Sequence, residues 1–580
     1  MTAARTAPSR ESTLEQALGD PWDPANPLGF ATVLEADERA ELPAEGVYLL
    51  ERYGFLTEFV PAKLGGRLTT LDRLARVGRA VFRRDAALGL AYTGSFIGAV
   101  NVWTAGSPEQ RTQLAELLLA NRKVSVAYHE LAHGNDFAGS ELRARRDGTD
   151  RFVLTGRKEL IANIDRAGMV VLLARTADGG GGRGHSLLAL DTSELDPRRL
   201  RYLPRFHTAG MRGVPLGGVE FDACPVPARA LLGEEGRAVD IALRSFQLTR
   251  IALPAMGLGI LETGLLAAVR FSGTRRLFQR PVAAMPHVRS LLASAFLDLL
   301  ICDCFTTLAA RAVHLRPDEA SVYAAAVKYF VPSRISAAMY QLSQVLGAQF
   351  YSRQGEYGIF QKMLRDLAPA VFGHAAPGVC LVTVLPQLPR LVRRSWTDPA
   401  APPGELCDLD ADLPGLPFGR LAVASQTDSL TAALSWATGQ ARTLGVPGLD
   451  VLLRAIDAEV VALGDAVRGL PVAALSVGAS AETLALPARY AAVLAAGACL
   501  NIWLANRHRA DRFLADPGWL LAALGRIAGL LHRAPRELSA PLAEGLHAEL
   551  SRRFDLGAPI ELSSMAGVMT SRSDPPRGRR

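Results

Sequence analysis

The fold is decided by one stretch of sequence, whose motifs are, in order, Val124-Ser-Val-Ala-Tyr-His-Glu-Leu-Ala-His-Gly-Asn-Asp136, Phe152-Val-Leu-Thr-Gly-Arg-Lys-Glu-Leu-Ile-Ala-Asn163, Gly210-Met-Arg-Gly213, Val219-Glu-Phe-Asp222 and Leu232-Gly-Glu-Glu-Gly236. Short β-rich runs alternate here with Gly, Asp and Pro, which is the pattern of strands and turns. The runs predicted to be strands are 151–155, 169–175, 186–190 and 218–221. Residues 122–236 are therefore expected to form a β-domain.

Helical domains are predicted on both sides of this β-domain and again near the end of the sequence, over residues 25–121, 237–395 and 419–558. In each of them apolar residues recur every three or four positions, as on one face of a helix. The apolar stripes that carry these predictions are Leu71–Phe82, then Ile335, Met339, Leu342 and Leu346, then Leu452, Ile456, Val460, Leu463 and Val467.

Three segments are predicted to be irregular. Residues 1–24 are polar and rich in Pro and Ala, and residues 559–580 end in a run too polar to pack, so both are expected to be loose tails. Residues 396–418 are rich in Pro and acidic residues, which is typical of an interdomain linker.

Composition indicates a large globular protein with several cores. The chain has 580 residues, 49% of them hydrophobic, and a net charge of +7. No cluster of Lys and Arg with interleaved aromatic residues is present, so no nucleic-acid partner is expected. The positive charge fits either an ordinary solvated surface or attraction to an anionic partner.

Cysteine spacing and hydropathy indicate a cytoplasmic protein. Six cysteines are scattered without the paired spacing of a metal site, which fits a reducing compartment. The N-terminus lacks an apolar signal core. The longest charge-free apolar run, 490–505, is shorter than a bilayer span, so we expect a buried helix there and no transmembrane segment.

The motif His129-Glu-Leu-Ala-His133 also matches the H-E-x-x-H pattern of zinc proteases. That chemistry needs both histidines on one face of a helix. Here a predicted strand over 125–128 leads into the motif and Gly134-Asn-Asp136 would end a helix at once. We therefore expect no metal.

The order of these motifs resembles the acyl-CoA dehydrogenase superfamily, flavoproteins that oxidise acyl thioesters between Cα and Cβ. The resemblance covers about residues 41–392. It implies an α+β fold that is mostly α, with an N-terminal helical domain, a middle β-barrel domain and a four-helix bundle. The extra C-terminal helical domain is similar to that of the long-chain branch, in which it accompanies dimers, so a homodimer is expected.

The resemblance implies a general base that removes the α-proton of the thioester. Relatives place a Glu nine residues after the Arg of an Arg-Asp pair; after Arg365-Asp366 that position is His374. A minority branch has the Glu immediately before an Arg on an earlier helix, and here Thr249 precedes Arg250. Since neither position is a carboxylate, His374 becomes the candidate base, because imidazole titrates near neutral pH, and Arg250 a candidate pocket residue.

The resemblance also implies bound FAD. Beside the flavin ring, His129 and Asn135 stand at positions where relatives have Thr and Ser, and Asn163 is retained, whereas the aromatic lid of relatives is Leu160 here.

For the rest of FAD, Arg275 and Phe278 match an Arg-x-x-Phe-Gly motif whose Arg pairs with the pyrophosphate of a neighbouring subunit's FAD. Gln344 and Gly347 match a Gln-x-x-Gly-Gly motif.

Three hypotheses follow from this mixture of retained and missing residues. The first is a flavoenzyme that oxidises an acyl group carried by coenzyme A or by an acyl carrier protein, in a bacterial biosynthetic pathway. The second is non-oxidative thioester chemistry, elimination or cyclisation, on the same fold with FAD absent or structural. The third is a catalytically silent binding or partner subunit.

Overall fold

The computed structural model describes residues 10–177, 183–373, 375–532 and 538–562. These residues are mostly helical. In chain order, the helices α1–α19 are Arg10–Leu18, Phe30–Glu38, Ala44–Tyr53, Leu71–Arg84, Ala86–Ala105, Pro108–Leu119, Ala238–Thr274, Pro286–Leu315, Ala320–Leu346, Gly358–Phe372, Pro377–Val384, Leu388–Ser395, Gly404–Cys407, Ser429–Arg442, Leu449–Arg468, Ala481–Asn506, Arg512–Ala515, Pro517–Leu531 and Ala540–Asp555.

A sheet domain separates the first six helices from the rest. Its strands β1–β8 are Lys123–Ala127, Arg143–Asp147, Arg151–Ala162, Ala167–Arg175, His185–Asp191, Leu200–Leu203, Leu216–Pro227 and Leu231–Leu232. The order in the sheet is β6-β7-β3-β2-β4-β5-β8, and β1 pairs in parallel with β4. The hydrogen-bonded ladder is thus open between β6 and β8. A hairpin of β9 (Arg276–Leu277) and β10 (Arg280–Pro281) stands apart.

The sheet encloses a core of its own, formed by the alternate side chains that each strand turns inward. Phe152, Leu154, Leu172 and Leu188 are fully buried members of this core. Strand β3 is kinked at Gly156, whose φ is +123° and whose added Cβ would lie 2.9 Å from the Cα of Leu142. Only glycine fits there, because the backbone conformation and the close approach both exclude a side chain.

A helical layer and a helical bundle share the principal core. Helices α4 and α5 pack against α7, and α7, α8, α9 and α10 pack together as the bundle. The expected stripe Ile335, Met339, Leu342 and Leu346 is buried in the bundle core, which confirms that prediction. Helices α4 and α7 touch backbone to backbone at Gly259, where an added Cβ would lie 2.6 Å from the carbonyl oxygen of Arg79.

A buried ionic cluster ties the bundle to both ends of the described chain. Arg79 donates to Asp303 at 2.8 Å and to Glu262 at 2.7 Å, and Arg83 donates to Glu262 at 2.8 Å. Two further carboxylates reach the same arginines. They are Glu15 of α1, which pairs with Arg83, and Glu561, which lies 3.7 Å from Arg79.

The C-terminal helices are an integral part of the fold. Helix α16 packs on α8 and α9, and α19 packs on α8. Asp428, before α14, is fully buried and accepts hydrogen bonds from Tyr323 of α9 at 3.0 Å, Trp396 at 3.0 Å and Tyr490 of α16 at 2.8 Å. Buried Glu319 accepts from the Tyr323 hydroxyl as well, at 2.7 Å.

Three predictions of irregular structure were wrong in part. Residues 10–18 of the expected tail form α1, because Leu14 and Leu18 are buried against the helical layer. At the other end, Ile560 and Leu562 are buried, so the expected tail does not begin at 559. Residues 1–9 and 563–580 lie outside the described residues.

The expected linker 396–418 is held closely against the bundle. It contains the short helix α13, and the buried Arg311 of α8 donates to the carbonyl oxygens of Glu405, Asp408 and Ala411. Its proline-rich composition therefore specifies an irregular backbone that is nonetheless fixed.

Four helices are long and apolar enough to cross a membrane by length and composition alone, namely α5, α7, α8 and α16. The length argument made for residues 490–505 was therefore wrong, since α16 extends from Ala481 to Asn506. The apolar windows of these helices are 78–89% buried inside the fold. Their hydrophobicity is used in packing against other helices.

Removing the Asp428 carboxylate should destabilise the protein, because the side chains of Tyr490, Trp396 and Thr431 would lose their acceptor. We expect the Asp428→Ala variant to lose about 3 kcal/mol of unfolding free energy in urea titrations. The matched control is Asp398→Ala, an exposed carboxylate nearby in the chain, which should change stability by less than about 0.5 kcal/mol. Equal stability of the two variants would contradict this role of Asp428.

Candidate active-site cleft

The sheet domain meets the bundle at a contact between two motifs singled out in the sequence. The backbone N–H of Met211 donates to the buried carboxylate of Asp366 at 2.5 Å. Gly210 lies so close to α10 that an added Cβ would be 2.2 Å from the carbonyl oxygen of Arg365. The glycine is therefore required by this close approach, and it fixes the sheet domain against the C-terminal half of α10.

The same aspartate is held by a lysine that also reaches the helical layer. Lys362 of α10 is buried and donates to Asp366 and to Asp85 at 2.6 Å each. Asp85 in turn caps α5 by accepting from the N–H of Ala87. Burial opposes the charge of Lys362, yet the carboxylates of Asp366 and Asp85 raise its pKa above the usual range. The lysine therefore stays charged as the link between α5 and α10.

A second ion cluster joins the same three parts of the structure. Asp37 of α2 accepts from Arg212 of the sheet domain at 2.7 Å and from Arg365 of α10 at 2.5 Å. Burial disfavours its charge, but the bond from Arg212 and the charges of Lys362 and Arg365 outweigh burial and lower the pKa of Asp37. The two clusters together hold the middle of α10 against α2, α5 and the sheet domain.

The loop after β1 is held by a buried ion pair. Lys158 of β3 is fully buried and donates to Glu130 at 2.7 Å and to Ser140 at 2.6 Å. Glu130 also accepts from the backbone N–H groups of Glu141 and Leu142. Burial favours the neutral form of Glu130, but the bond from Lys158 and these donors outweigh it and lower its pKa to about 2.

This geometry opposes a zinc-protease interpretation of His129-Glu-Leu-Ala-His133. The five residues form an irregular loop and a turn, so the two histidines do not share a helical face. Glu130 is already used by Lys158. Among the described residues no group of three side chains is arranged to hold a metal ion.

An aromatic cluster joins this loop to α7. The ring centroids of Tyr128 and Phe246 are 5.4 Å apart, and Phe137 lies 5.6 Å from Tyr128. Asn101 of α5 accepts hydrogen bonds from the hydroxyls of Tyr128 and Ser245, at 3.0 and 2.7 Å. The first turns of α7, the residue after β1 and the C-terminal part of α5 thus meet around Asn101.

Arg250 lies one helical turn beyond Phe246 on the same face of α7. Its side chain is buried and its Nε has no acceptor. Lys328 of α9 is buried nearby and donates to the carbonyl oxygen of Ala370, near the end of α10, at 2.5 Å. Thr249, the other position at which relatives of the minority branch carry a base, is fully buried. The proposed base His374 lies outside the described residues.

The residues expected beside the flavin ring differ in their burial and in their hydrogen bonds. His129 is half-buried, and its Nδ1 has no hydrogen-bond partner among the described residues. Asn135 is exposed in the turn that follows. Asn163 is buried and donates to the carbonyl oxygen of Ala91 at 2.8 Å. The side-chain amide of Asn163 thus serves to hold α5 against the sheet domain, and a contact with a cofactor stays a prediction.

The residues expected at the pyrophosphate lie on an exposed hairpin. Arg275 precedes β9, and its side chain has no hydrogen bond or ion pair within the described ranges. Phe278, at the tip, is 87% exposed with a positive φ of 49°.

The other two candidate FAD contacts lie at the end of α9. Gln344 is exposed there, and Gly347 has a φ of +56° with open space around it. These residues lie on the surface, where a second chain could reach them.

Sequence reasoning missed the lysines that organise the cleft. Lys158 and Lys362 are both fully or almost fully buried, and each is paired with a carboxylate. A signal was present, because each lysine stands within an otherwise apolar pattern, at an inward position of a strand or on the apolar face of a helix. The partner could not be inferred, since Asp85 is far from Lys362 in the chain.

Comparisons with known proteins match two parts of the chain to one family. The family model for the acyl-CoA dehydrogenase middle domain matches residues 125–224, and that for the acyl-CoA dehydrogenase C-terminal domain matches 236–372. The chain is 27% identical over 293 residues to a probable acyl-CoA dehydrogenase of Mycobacterium tuberculosis, covering 50% of this chain and 74% of that protein.

Two further similarities concern a relative with a different activity and a solved structure. The chain is 25% identical over 342 residues to a 3-sulfinopropanoyl-CoA desulfinase of Advenella mimigardefordensis, covering 58% of this chain and 83% of that protein. The structure of butyryl-CoA dehydrogenase from Megasphaera elsdenii aligns with a TM-score of 0.59 at 21% identity, over 66% of this chain and 98% of that one.

The Glu130–Lys158 pair should make stability depend on pH in the acid range. Because the folded pKa of Glu130 is about 2, below its usual value of 4.5, the pair contributes fully above about pH 5, and this contribution is lost as pH falls towards 2. In urea titrations the Glu130→Gln variant should be less stable than wild type by about 3 kcal/mol at pH 7, and the gap should narrow towards pH 3.

The matched control for this experiment is Glu141→Gln, an exposed carboxylate in the same loop, which should follow the wild-type profile. A difference in unfolding free energy between wild type and Glu130→Gln that stays constant between pH 7 and pH 3 would contradict the ion pair of Glu130 with Lys158.

Proposed function

The chain belongs to the acyl-CoA dehydrogenase superfamily, and on this premise we propose that it binds an acyl thioester between the sheet domain and the bundle and oxidises it with FAD. One observation carries the proposal. The family resemblance assigns the loop after β1 to the flavin ring, Arg250 of α7 to the pocket, and the segment after α10 to the base; Asp366, Lys328 and the aromatic cluster hold these parts of the chain together.

The residues present fit a flavin. The buried Nδ1 of His129 lacks a partner at the position where relatives bond the flavin edge, and Arg275 offers an uncompensated guanidinium on the hairpin. Gly347 leaves open space for close approach of a ligand to the backbone. When bound, FAD would accept the hydride that leaves Cβ. The chain's own contribution is to position the thioester and, through His374, to take the α-proton.

A homodimer is part of this proposal. Arg275 would reach the FAD of a second subunit, and the exposed Phe278 of the same hairpin would lie at that interface. The thioester carrier is coenzyme A or an acyl carrier protein. The six buried free cysteines support a reducing compartment, the bacterial cytoplasm.

Non-oxidative thioester chemistry is the second candidate function. It is favoured by the absence of a carboxylate at both positions from which the family takes its base, Thr249 and residue 374. The relative from Advenella mimigardefordensis, which is 25% identical to this chain, is named a desulfinase and not a dehydrogenase. The superfamily therefore includes a reaction other than dehydrogenation.

The visible spectrum of the purified protein separates these candidates. Under anaerobic conditions, a flavin absorbance that is bleached by an acyl-CoA supports oxidation. A product formed without bleaching supports the non-oxidative reaction. Binding without a product or bleaching, across acyl groups of increasing length, would indicate a partner subunit and overturn both.

The Arg275→Ala variant should lose flavin, because the guanidinium is assigned to the pyrophosphate. We expect the ratio of flavin to protein absorbance to fall at least about threefold after purification, since charge-assisted bonds to phosphate are strong. The matched control is Arg276→Ala, whose side chain already donates to the carbonyl oxygen of Gln279. Unchanged flavin content in Arg275→Ala would refute the assignment.

The His374→Ala variant should lose turnover if this imidazole is the general base. The expected loss in kcat is about a hundred- to ten-thousand-fold, with flavin content unchanged. His207→Ala, at an exposed histidine of the sheet domain, is the control and should keep wild-type turnover. Wild-type rates in His374→Ala would remove this residue from the mechanism.

A further inference from the structure

One buried lysine of the bundle lacks the acceptors that the other buried lysines have. Lys328 of α9 is 5% exposed, and in the described part of the chain its ammonium donates to one atom, the carbonyl oxygen of Ala370, at 2.5 Å. By contrast, Lys158 donates to three oxygens and Lys362 to two carboxylates. An ammonium has three N–H donors. Lys328 therefore has two further donors for which the described residues provide no acceptor.

Lys328 adjoins both places to which the family resemblance assigns the base. Ala370 belongs to the last turn of α10, just before the segment that carries the proposed base. Cys380 of α11, which follows that segment, is within electrostatic reach of Lys328. Arg250 of α7, beside the second place of the base, is within electrostatic reach as well. The ammonium is therefore close to the reacting carbon of a thioester bound where the proposed function puts it.

The charge state of Lys328 decides what it can do there. Burial lowers the pKa of Lys328 to about 8, the thiol of Cys380 opposes this shift, and the charge of Arg250 adds to it. Among the described residues, α8, α10 and α16, which also pack on α9, contribute no ionisable group. Lys328 thus keeps its proton at pH 7, so it cannot take a second one from carbon. It can donate a hydrogen bond to an oxygen that becomes negative.

Removal of the α-proton produces such an oxygen. As the C–H bond breaks, the base takes the proton and the electron pair moves onto the carbonyl oxygen of the thioester, which becomes an enolate. In a site that excludes water, this charge needs fixed donors or a fixed cation. The same step precedes both oxidation between Cα and Cβ and an elimination, so the need for stabilisation is common to both candidate functions.

We infer that Lys328 is a catalytic residue that stabilises the enolate oxygen of the bound thioester. This inference deepens the proposed function and rests on it for the location of the thioester. A buried ammonium held by Ala370 is already in place when the enolate forms, so little reorganisation is needed at that moment. A carboxylate at residue 249 or 374 would pair with this ammonium and neutralise it. The missing acid and the uncompensated lysine are therefore consistent with each other.

Acetoacetyl-CoA tests this inference with a readout other than turnover. Its α-carbon loses a proton reversibly and the enolate absorbs in the near ultraviolet, so a pH titration gives the pKa of the bound ligand. In Lys328→Met this pKa should lie at least about one unit above the wild-type value, a tenfold change, because the charge that favours the enolate is removed. Lys328→Arg keeps the charge and should remain closer to wild type. The control Lys63→Met, at an exposed lysine, should match wild type.

Hydrogen exchange at the α-carbon in D₂O measures the rate of enolate formation. With butyryl-, hexanoyl- or palmitoyl-CoA, Lys328→Met should exchange about a hundredfold more slowly than wild type, as expected for the loss of one donor to an oxyanion. In wild type the exchange rate at low substrate concentration should fall as pH rises through about 8, because the active form is the ammonium. A lysine acting as the base would give the opposite profile, a rate that rises through pH 8.

Each outcome has a distinct meaning. A lysine that only caps the C-terminal end of α10 would lower Tm when replaced by Met and leave the pKa of bound acetoacetyl-CoA unchanged, which would overturn the inference. A wild-type exchange rate that rises through pH 8 would overturn it too, and this measurement needs no variant to fold. Both results leave the proposed function standing. A wild-type protein that neither binds acetoacetyl-CoA nor exchanges α-hydrogens overturns the proposed function, and the role of Lys328 with it.

Discussion

The buried salt bridge between Lys362 and Asp366 is the interaction on which the contact between the sheet domain and the bundle depends. It lies within one helix, yet its two ends reach two other parts of the structure, α5 through Asp85 and the sheet domain through the N–H of Met211. An ammonium shared by two carboxylates tolerates little displacement, because each buried charge would otherwise be unpaired. Three elements that are distant in the sequence are thus held in a single arrangement.

Other buried ion pairs hold the same parts of the structure together. Glu130 with Lys158 fixes the loop after β1, and Asp37 with Arg212 and Arg365 fixes the sheet domain to α10. In each case the charges are balanced by groups of the chain itself. Arg250 and Lys328 differ, because no carboxylate contacts either of them in the part of the chain that the structure describes.

Much of the fold could be predicted from local patterns, because strands and amphipathic helices are encoded by the periodicity of nearby residues. Strand β4 and the buried stripe of α9 lie where the sequence placed them. Helix α1 was missed because Leu14 and Leu18 are buried by contacts made far along the chain, which a polar local sequence does not reveal. The cleft was predicted only in outline, since its ion pairs join residues such as Asp37 and Arg365 that no short motif connects.

The ionic cluster around Arg79 and Arg83 has a consequence for biosynthesis. Glu15 reaches Arg83 from one of the earliest helices to leave the ribosome, whereas Glu561 approaches the same cluster from one of the last described segments. During translation the two arginines therefore remain without their full complement of acids until residue 561 has emerged. The helical layer can collapse earlier, but the ionic cluster is completed only by a segment that is synthesised long after Arg79 and Arg83.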